Sequence, residues 1–291
     1  MGWLRLRSSE WVLVAFFGYI VAITPFFPDR PHLGYQPVIV LSSVFILLSI
    51  LARNQAGSWS AALLTLRDWL PIPLTFAAFR EMELFVPVRY SHFYEHSWIR
   101  WDELVLQAWH LKSAIESMGR LIPFYLEWCY FLVYGVGAYC VGLLYLRGRR
   151  TRTNQFLTIY LLGTLGAYSL FPYFPSQPPR LAFPLVAPPA ITTWIRQLNL
   201  WMLQHATIHS GVFPSAHVSS AFSCAWGMFL FLPERKRYGC GLLLYAISVS
   251  VATVYGRYHY TVDAIAGFAV SLAAGILFIA TSTPRGRLKA G

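Results

Sequence analysis

The chain has 291 residues, of which 56% are hydrophobic and 17% aromatic against 12% charged, with a mean hydropathy of +0.50. That balance is far too apolar for a soluble domain of this length and describes an integral membrane protein. The formal charge of +11 comes in short basic clusters between apolar runs, the pattern of membrane topology, so no nucleic-acid partner is expected.

A helix needs roughly 20 apolar residues to cross about 30 Å of hydrocarbon. Taken in chain order, runs at 11–27, 35–52, 59–79, 121–146, 156–171, 214–232, 239–255 and 261–281 predict about eight spans in an all-α polytopic bundle. The first run lacks a small-residue cleavage site and reads as a retained span, not a signal peptide. The third is interrupted by Arg67, Asp68, Pro71 and Pro73 and is the one expected to lie in the interface if it does not cross. Between spans, 80–120 mixes aromatics with charge and predicts one or two interfacial helices. Within it, Asp102, Glu103 and Glu116 are expected on a solvated face. In 192–205, Trp194, Ile195, Leu198, Trp201 and Met202 recur at helical spacing, which predicts a short amphipathic helix in the headgroup layer or a lid packed on neighbouring spans. Glu127, near the start of a span, needs a cation partner. Arg67, Asp68, Arg80 and Glu81 are expected to form such pairs or to receive a polar headgroup. The four cysteines lie in or beside apolar runs without CxxC spacing, so neither a disulfide nor a metal cluster is expected.

The basic clusters Arg5–Arg7, Arg147–Arg152, Glu234–Arg237 and Pro284–Lys289 fall on one side if eight spans cross, and the positive-inside rule makes that side cytoplasmic. Both termini are then cytoplasmic, in a plasma (inner) membrane protein. Segments 29–34, 80–120 and 172–213 and the turn around Arg257 face outward, together with every residue that carries chemistry.

Three segments carry it. Pro214 opens a span, with Ser215 at the N-cap and His217 in the first turn, where free N–H groups and partial positive charge suit a phosphate oxygen. His259 and Asp263 stand four apart, so on a helix they share a face and the carboxylate would take the imidazole Nδ1 proton. Arg257 lies two residues earlier and Arg180 ends FPYFPSQPPR. A guanidinium is the group suited to bidentate phosphate binding. Each segment alone also has a plain structural reading, as a cap, a hydrogen-bonded pair or a headgroup anchor. His205 and His209 are candidates to flank the pocket.

Together, the PPR ending at Arg180, PSAH (Pro214 to His217) and His259 with Asp263 four residues on resemble the three ordered motifs of the type 2 phosphatidic acid phosphatase superfamily, over roughly 121–281. The chain departs from the usual pattern in having Ala216 in place of Gly, Leu181 after Arg180 and Thr253 where the third motif carries Arg. The PPR and HY..D...G forms look closer to the inositol phosphorylceramide synthase branch. The resemblance implies a six-helix catalytic core within 121–291, preceded by N-terminal spans and an outer segment in 1–120. It implies phosphohistidine chemistry on lipid phosphate esters, with His217, His259 and Asp263 catalytic and Arg180, Ser215 and Arg257 binding phosphate. It requires no metal or other cofactor. The partners are the bilayer, a phospholipid substrate and an acceptor, water or a lipid alcohol, with headgroup transfer preferred to hydrolysis. Two rivals stand beside it: a zinc peptidase built on HFYEH (His92 to His96), and a non-enzymatic lipid carrier.

Overall fold

The computed structural model describes residues 6–28, 34–53, 60–87, 91–206, 208 and 211–282. Arg5, most of the 29–34 loop, His209 and the Pro284–Lys289 cluster lie outside these. All regular structure among the described residues is helical. In chain order the helices are α1 (Ser8–Ile23), α2 (Gln36–Arg53), α3 (Ser60–Trp69), α4 (Pro71–Glu81), α5 (Phe93–Asp102), α6 (Leu111–Ser117), α7 (Leu121–Leu132), α8 (Val136–Leu146), α9 (Thr153–Tyr168), α10 (Pro179–Ala182), α11 (Trp194–Ala206), α12 (Ala216–Phe231), α13 (Lys236–Tyr255) and α14 (Thr261–Ser282). A single 3-10 turn joins α7 to α8, so the two form one continuous apolar rod.

Among the described residues, six segments are long and apolar enough to cross a membrane: Ser8–Phe26, Gln36–Arg53, Leu121–Leu146, Arg150–Tyr173, Pro233–Tyr255 and Thr261–Ser282. The other two expected spans differ. The run at 214–232 folds as the 16-residue α12. The run at 59–79 breaks into α3 and α4 because Pro71, at the first position of α4, has no N–H to continue the ladder. The charged residues near this break are not exposed. Arg67, 1% accessible, grips Glu10 of α1 through two bonds of 2.6 and 2.5 Å. Asp68 meets Arg7 at 2.6 Å and Arg150 at 2.9 Å.

Helix α12 is the centre of the bundle, packed against α9, α13 and α14. It is buried on nearly every side, and the close approach depends on small residues such as Ser219, Ser223, Ala221 and Ala225. Gly163 of α9 illustrates the fit: a Cβ there would lie 2.0 Å from Ser223 Oγ, while its carbonyl accepts from Ser219 Oγ at 2.8 Å. The basic segments sit at one end of this bundle, since 149–152 lead into α9 and Pro233–Arg235 follow α12, joined by an Arg149–Glu234 pair at 2.6 Å. The N-terminus of α12 lies at the other end, about 24 Å away at about 1.5 Å per residue.

Candidate active site

The end of the bundle away from the basic segments is built by three tight connections. Ser215 caps α12: its Oγ accepts from Val218 N–H at 3.4 Å, and its own N–H donates to the Asp263 carbonyl at 2.9 Å. Gly267 permits this junction, because a Cβ there would stand 2.4 Å from the Ser215 carbonyl oxygen. Between α13 and α14 the chain turns sharply, with Tyr258 and His259 N–H both donating to the Thr253 carbonyl, at 2.9 and 3.1 Å. Thr253, the residue in the place of the third motif's usual arginine, thus anchors the turn that presents His259. Arg180 N–H donates to the Arg257 carbonyl at 3.2 Å, tying the Pro-rich segment to the same turn.

These connections surround a cavity of about 860 Å³, open mouth included, into which His217, His259 and Arg180 project. Its walls come from α4 (Thr75, Phe76), α7 (Tyr130), α9 (Tyr160, Tyr168) and the turn residue Tyr258, so they are largely aromatic with hydroxyls interspersed. The two imidazole centres are 5.5 Å apart. His217 stacks on Tyr130 at 5.1 Å and 7°, with Tyr134 edge-on at 5.0 Å. Its Nε2 is buried with no hydrogen-bond partner among the described residues. Ala216 and His217 also bring the first N–H groups of α12, which have no acceptor within the helix.

His259 differs from expectation in an informative way. It lies two residues before α14 begins, so it and Asp263 do not share a helical face. Its Nδ1 is 2.8 Å from the Val212 carbonyl and 3.4 Å from Asp263 Oδ2. A carbonyl oxygen only accepts, so Nδ1 carries the proton and Nε2 keeps a free lone pair. Asp263 Oδ2 instead accepts from Tyr260 N–H at 2.8 Å, closing the first turn of α14. Burial, followed by the nearby His217 and Arg180 charges, holds the His259 pKa well below the ordinary histidine range and keeps the ring neutral.

Of the six residues expected to form the site, His217, His259 and Arg180 line the cavity. Ser215, Asp263 and Arg257 are buried behind it. Arg257 is turned away by a left-handed backbone (φ 62°) and pairs with Asp102, which also accepts from Thr261 N–H at 2.7 Å and Thr261 Oγ1 at 2.8 Å. Asp102 is therefore fully buried and structural, not part of a solvated face.

The cations can be compared directly. Arg67, Arg196 and Arg257 are each buried and each held by a carboxylate, from Glu10, Glu127 and Asp102 respectively. Arg180 has no carboxylate partner among the described residues. It faces the cavity with its guanidinium 5.8 Å from the Tyr258 ring centre, and burial lowers its pKa. A cation kept in a low-dielectric site without its own counter-charge is suited to an anionic ligand.

His205 is exposed, bonded to the Trp201 carbonyl at 2.8 Å, and does not line the cavity. His92 stands outside α5 at a left-handed position and His96 packs edge-on against Phe183. Among the described residues no group of three or more His, Cys, Asp or Glu side chains is arranged to hold a metal. The aromatic residues Tyr130, Tyr134 and Tyr258 were not singled out from sequence, because a tyrosine at a membrane boundary looks like any interfacial anchor.

Outside this chain, a PA-phosphatase related-family protein of Dictyostelium discoideum is 37% identical over 62 residues. That match covers 21% of this chain and 11% of the relative, so the chain spans only a small part of that protein's length. No solved structure matches. The family model described as PAP2 superfamily matches residues 97–277, a segment containing Arg180, His217, His259 and Asp263 in the cavity geometry above, and the chain belongs to that superfamily.

Proposed function

We propose that this protein is a membrane phosphatase acting on lipid phosphate esters through a phosphohistidine at His259. The observation that carries the reading is the cavity-facing Arg180, without a carboxylate partner among the described residues, beside a histidine whose Nε2 is free. In the first step His259 Nε2 attacks phosphorus and the P–O bond to the lipid alcohol breaks. His217, protonated when the anionic ester sits beside it, gives its proton to the leaving oxygen. In the second step His217 takes a proton from water as that water attacks phosphorus, the N–P bond breaks and inorganic phosphate leaves. Arg180 and the N–H groups of Ala216 and His217 hold the non-bridging oxygens, where charge accumulates. Asp263 and Ser215 position the two histidines through the bonds already described, and the Arg257 carbonyl positions Arg180 by accepting from its N–H. The basic segments 147–152 and 234–237, at the opposite end of the bundle, support through the positive-inside rule a site on the outer face of the plasma membrane.

Transfer of the phosphoryl headgroup to a lipid alcohol is the second reading. It is favoured by the cavity's aromatic lining, which suits an acceptor lipid beside the phosphate. One experiment covers both. Purified wild type and His259→Ala are incubated with lipid phosphates in vesicles, with and without a hydroxylated acceptor lipid, while inorganic phosphate and new lipid species are followed. Phosphate release without acceptor, reduced at least about 10³-fold in the variant, is the expected result. A new lipid formed only with acceptor would replace hydrolysis by transfer. Activity that survives in His259→Ala would remove the phosphohistidine.

A further inference from the structure

Glu127 lies within α7, is 3% accessible and does not line the cavity, yet it gathers more donors than any simple ion pair needs. Its carboxylate accepts from Arg196 Nη1 at 2.8 Å, Asn199 Nδ2 at 2.8 Å and Tyr258 OH at 2.6 Å, and its main-chain carbonyl accepts again from Asn199 Nδ2 at 2.9 Å. Arg196 and Asn199 stand three apart on α11, on the side of that helix turned inward, while Trp194 and Trp201 face out. Arg196 Nη1 also reaches the Gly256 carbonyl at 3.2 Å, at the start of the turn that carries His259.

The third donor leads into the site. Tyr258, adjacent to His259, stacks on Tyr130 with ring centres 3.9 Å apart and planes 20° apart, and Tyr130 stacks in turn on His217. The guanidinium of Arg180 lies over the same Tyr258 ring. An O–H bonded to a buried carboxylate at 2.6 Å is a short charge-assisted bond that fixes the phenol's rotation. A fixed phenol fixes the rings stacked on it.

We propose that Glu127 and the Tyr258 hydroxyl are positioning residues: their bond locks the Tyr258–Tyr130–His217 stack and so aims His217 Nε2 into the cavity beside His259 and Arg180. The proposal rests on the roles given to His217 and Arg180 above. Misplacing a catalytic group by a fraction of an ångström to one ångström costs up to about a hundredfold in rate while leaving substrate contacts in place.

The test uses the full chain in detergent. Tyr258→Phe removes the bond and keeps the ring, leaving Glu127 still paired with Arg196, so it remains informative if Glu127→Gln fails to fold. Both variants are expected to lower kcat about ten- to a hundredfold with KM within about threefold of wild type. The double variant should be no worse than Glu127→Gln, because the charge-assisted bond that Tyr258→Phe removes is already lost in Glu127→Gln. The catalysis-independent readout is NMR of the Cε1-labelled protein, whose eight histidines are assigned through His217→Ala. The His217 signal, displaced by the Tyr130 ring current, should move in both variants. A folded variant with kcat within about twofold of wild type, or an unmoved His217 signal, overturns the proposal. If the wild type itself releases no phosphate, the functional reading fails instead, and the His217 signal alone then decides whether the bond locks the stack.

Discussion

Arg180→Gln separates a ligand-binding cation from a structural one, because a structural cation's loss lowers stability sharply and a ligand-binding cation's loss hardly changes it. Hydrogen bonds to a charged group contribute about 1.5–3 kcal/mol each, and a guanidinium offers two in parallel to a phosphate. Losing both removes about 3–6 kcal/mol of transition-state stabilisation, which at about 1.36 kcal/mol per factor of ten lowers kcat/KM about 10²- to 10⁴-fold. Arg180→Lys keeps the charge and loses the fork, so it should fall between wild type and Gln. Folding should respond differently. Arg180 has no carboxylate partner among the described residues and burial already depresses its pKa, so its removal relieves a desolvation cost. Against this stands the loss of a cation–π contact with Tyr258, about 0.5–1 kcal/mol. The terms nearly cancel, and at about 2–4 °C per kcal/mol the Tm should move by no more than a few degrees. The assays are phosphate release from lipid phosphate in mixed micelles and thermal unfolding in the same detergent. A kcat/KM within about threefold of wild type, or a large loss of Tm, would show that Arg180 is a structural cation and would remove the argument from its missing counter-charge.

Three further outcomes follow from the structure. Because burial and the neighbouring Arg180 charge favour the neutral His259 ring, the acidic limb of kcat/KM should lie below pH ~6.5, the ordinary histidine value, and Arg180→Gln should move it upward by removing that charge; a limb at or above that value in wild type refutes this. Gly267→Ala drives a Cβ to 2.4 Å from the Ser215 carbonyl, so an overpacking cost of about 1–3 kcal/mol should exceed the helix-propensity gain of about 1 kcal/mol, lowering both Tm and kcat. Gly18→Ala in α1, where nothing lies within 4 Å, should be neutral or stabilising under the same thermal assay.

Much of the fold was legible because hydropathy is a local property. The run at 121–146 is observed as Leu121–Leu146, and the last span differs from expectation by one residue. The N-cap at Ser215 followed from Pro-Ser ahead of an apolar run. The site was legible only in part. His259 and Asp263 have helical spacing, but the helix starts at Thr261, so the ring finds the Val212 carbonyl, 47 residues away in sequence, before the carboxylate. Asp102 reads as solvated because exposed Trp101 and Glu103 flank it. Its burial depends on Arg257, 155 residues later. Such pairings are long-range and leave no local periodicity to detect.

Helix α11 shows why the usual inside-out rule fails here. Its apolar stripe predicts either a helix in the headgroup layer or a lid packed on neighbouring spans; Ile195 is buried, but so are Arg196 and Asn199, while Trp194, Leu200 and Trp201 are exposed. In water that arrangement would be costly. Next to a bilayer the exterior is itself apolar, so tryptophans facing out lose nothing, and the polar pair is free to satisfy the buried carboxylate of Glu127. The same reasoning applies to the cavity. Three of its wall residues, Thr75, Phe76 and Phe79, lie outside the 97–277 segment that carries the family match. The segment that carries the family match therefore leaves one wall of the chamber unread, and that wall becomes visible only when α4 is seen packed against α9.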